Sequence, residues 1–121
     1  MVRGSMIGLG ALSLLVPLAA WGQTAKGAPK QDPAKWFTDL DYPADARRAS
    51  AQGSVSVVLS IDTSGHVTGC RVSASSGNAS LDAATCQLAT RRGRFTVQTD
   101  AAGTPEPYSY AMSKAWSLTG R

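Results

Sequence analysis

Few residues in this chain carry side chains able to do chemistry. Among its 121 residues there is one histidine, His66, and two cysteines, Cys70 and Cys86. A closed zinc site takes four ligands, so two sulfurs and one distant imidazole do not supply one. The cysteines are not spaced as C-x-x-C, which argues against a thiol–disulfide redox motif. His66 follows Gly65 and reads as a solvated hairpin residue rather than a catalytic base. Asp62 and Asp82 suit a turn and a helix start better than an acid–base pair. Ser75 and Ser76 have no predicted His–Asp partner to activate them. No glycine-rich loop suited to phosphate occurs. The expectation is a chain without catalytic residues, metal or cofactor, and therefore not an enzyme.

The charge balance narrows the partners. Twelve Lys+Arg against eight Asp+Glu leave +4 at pH 7, short of the dense positive footprint of nucleic-acid binding. Arg91, Arg92 and Arg94 cluster at an expected helix end, where positive charge suits the dipole. An acidic partner or an anionic surface is the other reading of that cluster. With 43% hydrophobic and 17% charged residues, the chain is neither wholly disordered nor polytopic in a membrane, and has room for one domain.

Residues 1–22 have the layout of a secretory signal peptide. Arg3 precedes an apolar run from Met6 to Ala20, Pro17 breaks it, and Ala20 and Gly22 place small residues before a cut. Cleavage after Gly22 fits best, with Ala20 and Ala25 as alternatives. The competing reading is an uncleaved anchor, but the run falls below the roughly 20 residues that a spanning helix needs. Export favours a Cys70–Cys86 disulfide over two buried thiols.

Residues 23–40, with Gly27, Pro29 and Pro33 and no sustained apolar period, read as a flexible linker that could dock through Trp36 and Phe37. The unit that follows spans 41–121. Pro43 opens a helix continuing to Ala51 and stopped by Gly53. Val55, Val57, Leu59 and Ile61 alternate with Ser54, Ser56 and Ser60, the period of a half-buried strand. Asp62 to Gly65 forms a turn into a second strand, His66 to Ser75, with Cys70, Val72 and Ala74 on one face. Ser80 or Asn78 caps a helix from Leu81 to Arg92, whose stripe is Leu81, Ala84 and Leu88. Cys86 lies about 140° from that stripe, which counts against the bridge. Phe95 is a core anchor, and Trp36, Tyr42 and Trp116 read as packing residues, with an interface role open to Trp116. A last strand, Tyr108 to Leu118, puts Tyr108, Tyr110, Met112, Lys114 and Trp116 on one side. Helix–strand–strand–helix–strand is a small two-layer α+β domain, a three-stranded antiparallel sheet on two helices.

The pieces Asp41-Tyr42-Pro43-Ala44-Asp45-Ala46-Arg47-Arg48, Gly53-Ser54-Val55-Ser56-Val57, Ile61-Asp62-Thr63-Ser64-Gly65-His66-Val67-Thr68, Val72 to Asn78, Leu81-Asp82 with Ala84, and Arg91-Arg92-Gly93-Arg94-Phe95 come in a telling order. In that order the segment 41–118 resembles the C-terminal domain of the TonB family of energy transducers. The resemblance implies a periplasmic domain of Gram-negative bacteria, in support of TonB-dependent transport. It also implies an outer-membrane transporter, or another envelope protein, whose extended TonB-box peptide adds as a strand beside the last strand. Partner contacts would then come from Tyr108, Tyr110, Met112, Lys114 and Trp116, with Asp41 and Tyr42 near the family's contact position ahead of Tyr-Pro. Gly93 stands where the family often has an aromatic residue, and Thr96-Val97 replaces its Lys-Pro. No His precedes His66, so collection of energy from an inner-membrane motor is not expected of this chain alone. A self-associating envelope protein, pairing last strand to last strand as a homodimer, is the alternative. Membrane contact, with an inner-membrane location, would follow only from retention of the N-terminal segment.

Overall fold

The structure is a computed structural model that describes residues 25–118. The expected signal peptide and the last three residues lie outside the described residues. Two 3₁₀ turns, Pro33–Trp36 and Asp39–Asp41, precede α1 (Ala44–Arg48), β1 (Gly53–Ile61), β2 (Val67–Ala74) and α2 (Ala79–Arg92). The short strands β3 (Gln98–Thr99) and β4 (Pro105–Glu106) then lead into β5 (Tyr108–Trp116). The main sheet is antiparallel with order β2–β1–β5, and β3 and β4 form a separate two-stranded pair. Among the described residues no helix is long and apolar enough to cross a membrane.

The serine alternation of β1 is the reason the sheet has a wet and a dry face. Val55, Val57, Leu59 and Ile61 are buried, while the serines between them are exposed or half-buried. On β5, directly across from β1, Tyr110 faces Leu59, Met112 faces Val57 and Lys114 faces Val55. α2 covers the dry face through Leu81, Thr85, Leu88 and Ala89. This stripe is centred about 50° nearer Cys86 than one drawn through Ala84, at about 100° per residue. The shift explains why Cys70 and Cys86 are bonded, with Cα atoms 5.6 Å apart. Closing that loop removes about 3 kcal/mol of unfolded-chain entropy on the chain-entropy model. Val72 lies opposite Val57 but remains 38% exposed, because β2 is an outer strand.

Element ends fall within three residues of expectation, that of α1 being the furthest off. α1 ends at Arg48, not Ala51, because Ser50 adopts φ 55° and closes the helix with Ser50 N–H to Arg47 and Ala51 N–H to Ala46 carbonyls. Glycine usually takes that left-handed position, so Gly53 drew the expected stop too late. Of the two expected caps, Asn78 holds α2, accepting from the Leu81 N–H at 3.0 Å. Ser80 instead donates to Asp45 at 2.6 Å and ties α2 to α1.

The linker expected over 23–40 docks through Trp36 and Phe37 as the sequence allowed, and more fully than a flexible arm would: residues 25–40 are packed onto the domain as a strap. Ala25 bridges Thr99 and Pro29 bridges Phe95, with Lys30 N–H to Arg94 and Thr96 N–H to Ala28 carbonyls, each at 2.8 Å. Trp36 is 1% exposed against Phe95, and a β-carbon on Gly93 would stand 3.2 Å from its indole. The aromatic bulk expected at position 93 thus arrives from the strap. Gly65 is fixed similarly: its φ is +91°, its carbonyl accepts from Phe95 N–H, and a side chain there would strike the Phe95 carbonyl.

Arg92 fastens the strap to the end of α2. Its guanidinium donates to the Trp36 carbonyl at 2.8 Å and to both oxygens of Asp41, at 2.7 and 3.0 Å. Arg92 and the Thr38 backbone and hydroxyl hold Asp41 at about 2, below its ordinary 3.8. A depressed folded-state pKa contributes stability that is present above the unfolded value and lost as pH falls through 3.8 to about 2. Thermal melts of wild type and Asp41→Asn should therefore differ most near neutrality and converge across that acid window. A gap that does not change with pH would refute this coupling.

β5 is fastened to α2 by a buried polar contact. The Trp116 indole N–H donates to the Thr85 hydroxyl at 2.8 Å, and that hydroxyl donates to the Leu81 carbonyl at 2.8 Å. Thr85→Val keeps the shape but leaves the indole N–H unpaired, so urea denaturation should show a loss of about 1–3 kcal/mol. A loss below about 0.5 kcal/mol would mean that the indole finds another partner.

Candidate functional site

β5 has a hydrogen-bonded neighbour on one side only. In an antiparallel pair, alternate residues direct both N–H and C=O toward the partner, and the residues between them direct theirs away. About half of the backbone groups of β5 therefore have no partner strand among the described residues. They open onto a groove of about 450 Å³ lined by Asp32, Pro33, Ala34 and Phe37 from the strap and by Tyr110 through Ala115 from β5. Tyr110, Met112 and Lys114 belong to the dry face, and Ala111, Ser113 and Ala115 to the wet one. A space touching both sets must lie at the strand's edge. No proline interrupts β5, so each of its residues carries a donor and an acceptor.

The residues expected at a partner surface divide into two groups. Tyr110 lines the groove and stacks edge-on to Phe95 at 5.2 Å. Met112 lies in the floor, and the Lys114 ammonium sits 5.2 Å from the Phe37 ring centre and 5.0 Å from that of Trp116. Tyr108 donates to the Thr96 carbonyl at 2.8 Å and packs on Gly27, and burial pushes its hydroxyl pKa up. It is occupied in holding the strap. Trp116 and Tyr42 are buried in the core, as their reading as packing residues expects: their rings meet edge to face at 5.3 Å, and the Tyr42 hydroxyl donates to the Ala51 carbonyl. Asp41, with 15% of its side chain exposed, is spent on Arg92. The period-2 reading placed all five β5 residues on one side, but that side is the one the helix and strap cover.

Asp32, Pro33 and Ala34 were missed because the strap lacks an apolar period, and Phe37 was expected only as a docking residue. A signal was present: Asp32-Pro33 is an N-cap followed by a first-turn proline, and Asp32 does accept from the Ala34 N–H at 3.0 Å.

Elsewhere Asp62, Ser64 and His66 meet in the β1–β2 turn, where Ser64 bonds Asp62 at 2.7 Å and His66 Nδ1 at 2.8 Å. The serine stands between the acid and the imidazole, whereas nucleophilic catalysis needs the imidazole between them. Bonds from the Ser64 hydroxyl and from the backbone of His66 and Ser64 lower Asp62 to about 2, as suits a turn anchor. Asp82 receives the Ser75 and Ser76 hydroxyls and the Ser76 N–H, which outweigh its burial and lower its pKa. Arg94 donates to the Arg91 and Gly93 carbonyls, capping α2. No group of three or more His, Cys, Asp or Glu that could hold a metal occurs among the described residues.

Comparison with known proteins gives the fold a lineage. The family model described as "Gram-negative bacterial TonB protein C-terminal" matches residues 38–118. None of the curated proteins matches the chain in sequence. The solution structure of the Pseudomonas aeruginosa TonB C-terminal domain superposes with a TM-score of 0.58 at 17% identity, over 80% of this chain and 91% of that one. The Helicobacter pylori TonB C-terminal domain superposes at 0.52 and 22% identity, over 74% and 79%. At such identities the likeness is one of fold, a three-stranded antiparallel sheet with two helices, and the family match carries the assignment. With that match over about two thirds of its length, the chain belongs to the TonB C-terminal domain family.

Proposed function

We propose that this chain is a periplasmic interaction domain that binds an extended peptide of an outer-membrane transporter, or of another envelope protein, by adding it as a strand to β5. It would act in TonB-type envelope energy transduction as the partner-reading part, and without catalysis. The observation that carries the reading is the unpaired edge of β5 beside a groove open to both faces of the strand. Each backbone bond to an added strand nets about 0.5–1.5 kcal/mol, so a few in register give a reversible complex. Family membership supports the envelope setting. The disulfide between Cys70 and Cys86 fits an oxidising compartment.

Nuclear magnetic resonance titration with a panel of synthetic TonB-box peptides tests this. Shifts and slowed amide exchange should concentrate on alternate residues between Ser109 and Ala115. Peptides N-methylated on the amides that face β5 should lose binding, while methylation on the intervening amides should be tolerated. Shifts spread evenly over the surface, or none, would reject strand addition.

A further inference from the structure

We propose that the strap makes the β5 groove selective, reading an added peptide for an acidic side chain opposite Lys114 and a basic one opposite Asp32, with an apolar residue between. The proposal rests on strand addition at β5 and specifies what that edge would accept.

Backbone pairing is blind to sequence, so selectivity must come from alternate side chains of the incoming strand. One alternate set would project toward the wet face, where Ala111, Ser113 and Ala115 are small and exposed and offer little to read. The other set would enter the groove between the strap and the dry face. There the walls differ along their length. Lys114 stands at the Phe37 end, its ammonium over the Phe37 and Trp116 rings. Met112, Pro33 and Ala34 give an apolar middle. Asp32 begins the strap's wall, one carboxylate oxygen accepting from the Ala34 N–H.

Neither charge is neutralised internally, since among the described residues the one ion pair is Arg92 with Asp41. Asp32 and Phe37 are separated by a single 3₁₀ turn, roughly 10 Å with its flanking residues. Side chains on one face of a strand repeat about every 6.6 Å. Three successive same-face residues of a peptide, about 13 Å from first to last, therefore span the wall from Lys114 to Asp32, the apolar residue lying between the charges. A second copy of β5 fits poorly. From Tyr108 to Trp116 it carries no carboxylate to offer Lys114, and its own strap would compete for the same space. The strap residues that make this wall, 32 to 37, precede the family-matched span that begins at 38.

The test uses the whole domain, residues 25–121, and five synthetic peptides of alternating threonine. They carry Asp-Thr-Val-Thr-Lys, the reverse order Lys-Thr-Val-Thr-Asp, an all-acidic version, an all-basic version and a neutral one. By fluorescence anisotropy, one of the two mixed-charge orders should bind about five- to tenfold tighter than the other four, and added salt should shrink the preference. The favoured order also reports whether the peptide runs parallel or antiparallel to β5. Lys114→Glu should favour lysine at the facing position. Asp32→Asn, which keeps the cap to Ala34, should erase discrimination at the other end. Far-ultraviolet circular dichroism confirms that the variants fold. Equal binding of all five peptides, or preferences unchanged in both variants, would overturn the selectivity and leave strand addition standing. Failure of every peptide to bind would overturn both, and a dimer through β5 that excludes peptide would do the same.

Discussion

Everything at the open edge depends on β5 being held from its other side. A strand with one hydrogen-bonded neighbour is free to fray unless its side chains are fixed. Here the fixing point is the buried indole N–H of Trp116 on the Thr85 hydroxyl. A polar bond inside a core is costly to leave unmade, which makes it directional in a way that apolar packing is not. It sets the depth at which the end of β5 enters the core. Tyr42 and Phe37 then close edge-on around the indole, at 5.3 and 5.8 Å. The far end is held by Tyr108 through the Thr96 carbonyl and Gly27. Between these anchors the strand is straight, paired with β1 from Gly53–Trp116 to Ile61–Tyr108 without a bulge. Edge strands usually carry devices against unwanted pairing. On the dry face of β5 only Lys114 is such a device, and the strap narrows the approach.

The strap joins the edge to the rest of the molecule. Trp36 fills the space above Gly93, and Arg92 grips the Trp36 carbonyl and Asp41 together. The end of α2 therefore sets the position of Phe37, and through it the position of the Lys114 ammonium. The groove wall and the helix on which the sheet rests form one connected set of contacts. A strap displaced from Gly93 would widen the groove and uncover the Trp36 face of the core in the same movement.

What the sequence made legible is what period and turn chemistry encode. The serine-spaced apolar residues of β1, the Asp62–Gly65 turn, the Asn78 cap and the order of elements all follow local rules, and the resemblance to the TonB C-terminal domain rested on the same stretch. Less legible were features set by tertiary context. Ser50 in a glycine's conformation moved the end of α1. Thr85 replaced Ala84 at the centre of the α2 stripe because the core there needs an acceptor for an indole, and hydrophobic patterning cannot anticipate a polar core residue. The strap was hidden for a related reason. Its two buried aromatics are adjacent, so they produce no period, and its order comes from backbone bonds to Arg94, Thr96 and Thr99 that no local pattern specifies. Asp41 looks like a surface candidate by type, but its exposure was decided by Arg92, a partner distant in sequence.

The same distinction bears on how such a domain can keep its fold and change its partners. The dry face of β5 is constrained by the core on one side and free along the edge, so substitutions at Trp116 or Tyr108 disturb packing. Lys114 and Met112, half-buried at the lip, can change with less effect on the core. The strap's groove-facing residues are freer still: Asp32 and Ala34 are exposed and make few contacts beyond their own 3₁₀ turn. Charge and size there can drift while Trp36 keeps the segment docked. A backbone ladder common to the fold, read through a wall that is cheap to alter, separates the affinity of the edge from its choice of partner.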